Sequence, residues 1–188
     1  MNVKGKRELL MKSLLGFYNS NPKQNVKVLR TIVEQKSIIS LRLLEWFVTN
    51  FSKQNNVIYK TQAASIFNVY IDYKNQLRAY SKKMFDPFCR RQRLFVTIDP
   101  ESNRIVGYTD MEPEVITTEI LVTTTGQLNF FRWAIENNVA SYVLKNQECI
   151  ESDMAERYVK TSVVKRKREI ISPASGMNRN YVVGKIEW

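Results

Sequence analysis

The apolar residues change period midway along the chain, and that change constrains the fold class more than any other feature. Through Ala63, Ile66, Tyr70, Tyr73, Leu77, Tyr80 and Met84 they recur at three and four residues, as one helix face requires. From Leu94, Val96 and Ile98 they alternate, as a strand requires, and from Leu128 the helical spacing returns. The reading is α+β: N-terminal helices, a small antiparallel sheet, C-terminal helices and a basic tail.

Local signals place the elements. Asn21-Pro22 opens a helix to about Lys36, with Val26, Leu29 and Val33 on one face. Ser40 caps the next, where Leu41, Leu44, Val48 and Phe51 recur with Trp46 and Phe47, until Gln54-Asn55-Asn56 stops it. Such a pair is compatible with a helix-turn-helix and with many other helical hairpins. The longer period over Thr61–Met84 predicts one helix there, ending before Asp86-Pro87, although Phe67, Val69, Ile71 and Tyr73 also alternate. Asp99 to Asn103 turns one strand back into Arg104–Tyr108, and Val115–Thr123 reads as a third.

Thr124-Thr125-Gly126-Gln127 fits a capping box, and the helix behind it is apolar all round, which predicts burial on most faces. Asn137-Asn138 breaks it, and Val139–Tyr158 is a further helix. Tyr181, Val183, Lys185 and Ile186 suggest a final strand. The predicted organisation is a single α+β domain over 1–158 and a basic C-terminal arm over 159–188. The domain has a helical part at about 6–84, a hairpin and strand at about 93–123 and helices at about 125–158.

Charge narrows the function. The net charge is +11, but residues 1–98 hold 18 Lys/Arg against 5 Asp/Glu. Residues 99–158 hold 4 against 11, and residues 159–188 hold 7 against 2. A basic front suits a polyanion, and an acidic middle suits docking onto copies of the chain or a charged partner. Interleaving of the segments in the fold would cancel the asymmetry. Two cysteines, Cys89 and Cys149, make no disulfide framework and suit a reducing compartment. The N-terminus lacks the pattern of a secretory signal, and no apolar run is long enough to span a bilayer, so an intracellular protein is expected.

The chain has no histidine, which removes Ser-His-Asp and Cys-His catalysis and His-ligated zinc. Its six glycines form neither a phosphate-cradling loop nor a dinucleotide fingerprint. Asp110, Glu112 and Glu114 alternate and would share a strand face, but Pro113 interrupts them and a solvated acidic loop is the commoner outcome. Arg90, Arg91 and Arg93 would depress the Cys89 thiol, yet Phe95 stands where a phosphate-closing arginine would be needed. No catalytic residue, metal or cofactor is expected.

The positive signal is Arg78, Lys82, Lys83, Arg90, Arg91 and Arg93, opposed within the stretch only by Asp86. Tyr80, Phe85 and Phe88 interleave with them, and Tyr70 and Tyr73 precede. Guanidinium groups pair with phosphate oxygens and aromatic rings stack on unpaired bases, so the stretch suits nucleic acid. It equally suits an acidic protein surface, or a solvated helix face with its aromatics in the core. Lys165, Arg166, Lys167 and Arg168 form a second cluster, which resembles a nuclear-localisation or phosphate-tracking run and equally suits a flexible arm laid on a neighbour.

SLRLLEWFVTNFSKQNNVIY (Ser40–Tyr59), FNVYIDYKNQLRAYSKKMFDPFCRR (Phe67–Arg91), TTGQLNFFRWAIENNV (Thr124–Val139) and KREIISPASGMNRNYVVGKIEW (Lys167–Trp188) together resemble a conserved protein family of the nucleocytoplasmic large DNA viruses, the giant viruses. The resemblance implies a viral origin and synthesis in the host cytoplasm or viral factory, and brings no functional residues. The expected function is a non-enzymatic structural or assembly protein, a minor capsid or core component of the virion. The alternative is a nucleic-acid-binding factor for genome packaging or late transcription. Expected partners are viral structural proteins or nucleic acid, with self-association.

Overall fold

The computed structural model describes residues 3–61, 65–113 and 119–170. Helix α1 (Val3–Ser20) and helix α2 (Pro22–Val33) meet at Asn21, whose side chain donates to Gln24 (2.9 Å) and makes no cap to the α2 backbone. Ser40 caps α3 (Leu41–Trp46), accepting from the Leu43 amide at 3.1 Å. A π-helical turn (Phe47–Phe51) follows, then α4 (Ser52–Gln54), ended at Asn55 and left-handed Asn56. Phe47, Val48 and Phe51 of this turn are buried alongside Leu43 and Leu44.

The single helix predicted over Thr61–Met84 is corrected. Strand β1 (Ile58–Lys60) pairs antiparallel with β2 (Ile66–Asn68), and α5 (Val69–Met84) begins only after them. Asn68 sets that boundary, its carboxamide oxygen accepting from the Ile71 amide at 3.0 Å. The hairpin is held by its inner face: Tyr59 and Phe67 lie 5.4 Å apart, Tyr59 stacks on Tyr142, and Phe67 reaches Trp133. Ile66, which the helical period put in the core, is 77% exposed.

Strand β3 (Leu94–Ile98) lies between β4 (Ile105–Thr109) and β5 (Glu119–Thr123), antiparallel to both. Leu94, Val96, Ile98, Leu121 and Thr123 are buried on one face of the sheet, and a register shift at Thr97/Ile98 separates Val106 from the pairing. Asn19 pins α1 to the sheet edge, donating to the Ile105 carbonyl and accepting from its amide, both at 2.9 Å.

Helix α6 (Thr125–Glu136) is the centre. Residues 125–131, Trp133 and Ala134 are buried, as all-round apolarity predicted, because α1, α2, α5 and α7 (Val139–Lys145) surround it. The Tyr18 hydroxyl donates to the Leu128 carbonyl at 2.7 Å. Asn138, left-handed, breaks α6 from α7. Asn146 then separates α7 from α8 (Gln147–Ile170), so the helix predicted over Val139–Tyr158 is two. α8 continues past 158, so the predicted domain boundary falls inside it; Ile150 is buried, and the indole of Trp46 donates to Asp153 at 2.9 Å. The predicted strand at Tyr181–Ile186 lies outside the described residues, as does the part of the third strand before Glu119. Among the described residues no helix is long and apolar enough to cross a membrane.

Charge asymmetry cancels in part through contacts across the chain. Arg7 pairs with Asp110, and Arg30 pairs with Glu119 as well as Glu34.

Candidate functional site

The end of α5 is bent inside the basic stretch, between Arg78 and Lys82. Ser81 has φ 59 and ψ 166, a region populated essentially by glycine, so Lys82, Lys83 and Met84 leave on a new axis. Buried Phe85 anchors the chain beside Tyr73, Phe130 and Trp133. The turn after it is fastened to α6. The Asp86 amide donates to the Gly126 carbonyl (3.2 Å), Asn129 Nδ2 to the Met84 carbonyl (2.9 Å), and Gln127 Nε2 to the Pro87 carbonyl (3.0 Å). Gly126 is required by this approach, since a Cβ there would stand 3.0 Å from the Lys83 carbonyl oxygen.

Half of the predicted capping box forms: Thr124 Oγ1 accepts from the Gln127 amide at 3.1 Å. The Gln127 side chain is used elsewhere, accepting from the Thr123 hydroxyl at 2.9 Å and donating to Pro87.

These contacts leave a cleft of about 220 Å³ between α1, the end of α5 and the start of α6. Arg7, Lys83 and Arg91 line it with Thr124, Thr125 and Gly126, and among the described residues no carboxylate does. Arg7 is held in place, its Nε donating to Thr125 Oγ1 at 3.3 Å and its outer nitrogens to the Asp110 carboxylate, one at 2.8 Å. The pairing holds the Asp110 carboxyl below its ordinary range and raises Arg7. Lys83 and Arg91 form no ion pair with a described residue. With Asp110 balancing Arg7, Lys83 and Arg91 are left uncompensated among the described residues.

The predicted run therefore divides. Lys83 and Arg91, themselves exposed, line the cleft, while Arg78, Lys82 and Arg93 are exposed outside it. Arg90 turns away, pairing with nearly buried Asp86 at 2.9 Å and covering the Phe88 ring at 4.6 Å. Lys165, Arg166, Lys167 and Arg168 lie along the α8 backbone, and their side chains are outside the description. Of the alternatives open for the aromatics, the core placement holds for Tyr73 and Phe85, which are buried; Tyr80 packs on the core, and Tyr70 and Phe88 are half-buried under Lys53 and Arg90. Tyr73 and Phe85 are drawn inward by the ring network around Trp133.

Cys89 is exposed, and burial of part of its thiol raises its pKa against the lowering by Arg93, which agrees with a cysteine that merely sits in a basic stretch. Asp110 is occupied by Arg7, Glu112 is exposed and Glu114 lies outside the described residues, among which no group of three His, Cys, Asp or Glu could hold a metal. Arg7, Thr124 and Thr125 were not legible as site residues. Arg7 sits among Lys4, Lys6 and Lys12 with nothing to distinguish it, and the two threonines read as a cap.

Fold and cleft thus define an α+β protein whose central buried helix begins at a cation-lined cleft. The chain belongs to the Family of unknown function (DUF7197), which matches residues 2–182. It is similar to "Uncharacterized protein L507" of Acanthamoeba polyphaga mimivirus, with 40% identity over 144 residues, covering 74% of this chain and 50% of that protein. The chain spans about half the length of the curated relative it matches. The resemblance to a giant-virus family is therefore shown. No solved structure matches.

Proposed function

We propose that this protein is a non-enzymatic, polyanion-binding structural or assembly component of a large DNA virus, acting in the virion as a minor capsid or core protein. The observation that supports the reading is an imbalance. Arg7, Arg30, Arg90 and Arg157 have carboxylate partners, two of them reached across the fold, whereas exposed Arg78, Lys82, Lys83, Arg91 and Arg93 pair with no described residue. Cations left together without internal partners favour an anion supplied from outside.

The second reading, a nucleic-acid-binding factor for packaging or late transcription, draws on the same cations. Burial of Tyr73 and Phe85 removes rings that would stack on unpaired bases, which favours phosphate contacts over base contacts. Binding of the purified chain to duplex and single-stranded oligonucleotides across a salt series tests both. Phosphate contacts give log affinity falling by about 0.9 per log of salt for each duplex phosphate neutralised, without sequence preference. A flat salt dependence removes the polyanion role. Recovery of the protein in purified particles favours the virion reading, and its absence there favours the factor.

A further inference from the structure

We infer that the cleft between α1, the end of α5 and the start of α6 is a seat for one phosphate group, held by Lys83, Arg91 and Arg7 with the Thr125 hydroxyl. The inference rests on the polyanion reading and gives it a specific contact point. Three cations arrive from three separate parts of the chain. Arg7 comes from α1, Lys83 from the bent end of α5, and Arg91 from the loop before β3. Charges of one sign gathered from distant positions repel one another unless something neutralises them. Among the described residues Asp110 does so, and for Arg7 alone.

The dimensions select a small ligand. About 220 Å³ is below the roughly 300–1,000 Å³ of pockets that enclose drug-sized molecules. A phosphate group offers several acceptor oxygens to donors converging from different directions, whereas a carboxylate offers two in one plane. Lys83 supplies a compact ammonium and Arg91 a planar fork, and Arg7 is already oriented by Asp110 and Thr125. Thr125 and Gly126 open α6 here, and first-turn amides of this kind lack internal acceptors, so they add to a site that the side-chain cations carry. The shape is maintained by the bonds from Gln127 and Asn129 to the 84–87 turn, which hold Lys83 and Arg91 on opposite sides of that turn.

The phosphate could belong to a polynucleotide backbone or be free, and two arms on the full chain separate these sources. The first measures the melting temperature of the protein against inorganic phosphate at constant ionic strength. The second measures oligonucleotide affinity across a salt series. Lys83→Gln/Arg91→Gln empties the cleft of its two unpaired cations. Lys23→Gln/Lys27→Gln removes equal charge from exposed positions on α2, which lines no part of it. Phosphate is expected to raise the melting temperature of the wild type and the α2 variant but not of the cleft variant. The cleft variant is also expected to lower the salt slope by about 0.9, the share of one phosphate.

A phosphate response lost in the cleft variant, with no oligonucleotide binding, keeps the seat, assigns it to free phosphate and removes the polyanion reading. Steep oligonucleotide binding, with the cleft variant matching the α2 variant in both arms, overturns the seat and keeps the polyanion reading. Absence of binding in both arms overturns both.

Discussion

Replacing Ser81 by glycine should stabilise the protein, although the position lies within α5 and glycine is a poor helix residue. At φ 59 and ψ 166 the Ser81 backbone occupies a region from which a Cβ is normally excluded, a conformation that costs about 1–3 kcal/mol. Glycine relieves that strain and gives back roughly 0.5–1 kcal/mol through the greater freedom of its unfolded chain. The net expectation is a gain of about 1 kcal/mol, equivalent to about 2–4 °C for a domain of this size. Ser81→Ala keeps the Cβ and should give no gain. In a straight helix the order reverses, with alanine better than serine and glycine worse by a few tenths of a kcal/mol. Urea midpoints of the three proteins, taken with constant m-values, decide the matter. A glycine variant less stable than the alanine variant would refute the bend, and with it the argument for how Lys83 reaches the cleft.

Thr124→Ala removes the cap on the Gln127 amide and should cost about 1 kcal/mol, read as a lowered urea midpoint. Tyr18→Phe removes the 2.7 Å hydrogen bond to the Leu128 carbonyl in the core and should cost about 0.5–1.5 kcal/mol in the same assay. Arg7 lowers the Asp110 pKa, so the pair's contribution is fully present above the ordinary carboxylate value near 4 and is lost as pH falls through the lowered value. Melting curves of Asp110→Asn and the wild type should therefore differ at pH 7 and converge in acid; a gap that widens in acid would contradict the pairing.

The α+β class and the core helix were legible because their signals are dense. All-round apolarity in 125–136 can be satisfied only by burial, and alternation at Leu94, Val96 and Ile98 only by a half-buried sheet. The hairpin of β1 and β2 was not, because three-residue strands are too short to outweigh a helical period running through Ile66 into α5. What decides there is tertiary: Tyr59 and Phe67 share ring contacts with Tyr142 and Trp133, residues some seventy positions away. Gln127 shows the same limit. Its spacing from Thr124 fits a capping box, yet the side chain finds a better pair of partners in Thr123 and Pro87, which no local rule could rank.

A run of cations in a sequence states charge but not direction, and direction is what separates a binding residue from a structural one. Arg90 and Arg91 are neighbours with opposite fates. Asp86, four residues before Arg90, draws that guanidinium onto the turn, where it also covers Phe88. The spacing of that pair could have marked Arg90 as occupied. Arg91 has no such partner among the described residues and lines the cleft together with Lys83, which follows the bend at Ser81, and Arg7, which Asp110 and Thr125 hold there. Removing Arg90 should therefore act first on the stability of the turn, and removing Arg91 first on anion affinity. Measuring the urea midpoint and the salt slope for Arg90→Ala and Arg91→Ala separates the two. Equal effects of both variants on the slope, with no difference in stability, would mean that the run acts as one undivided charge patch.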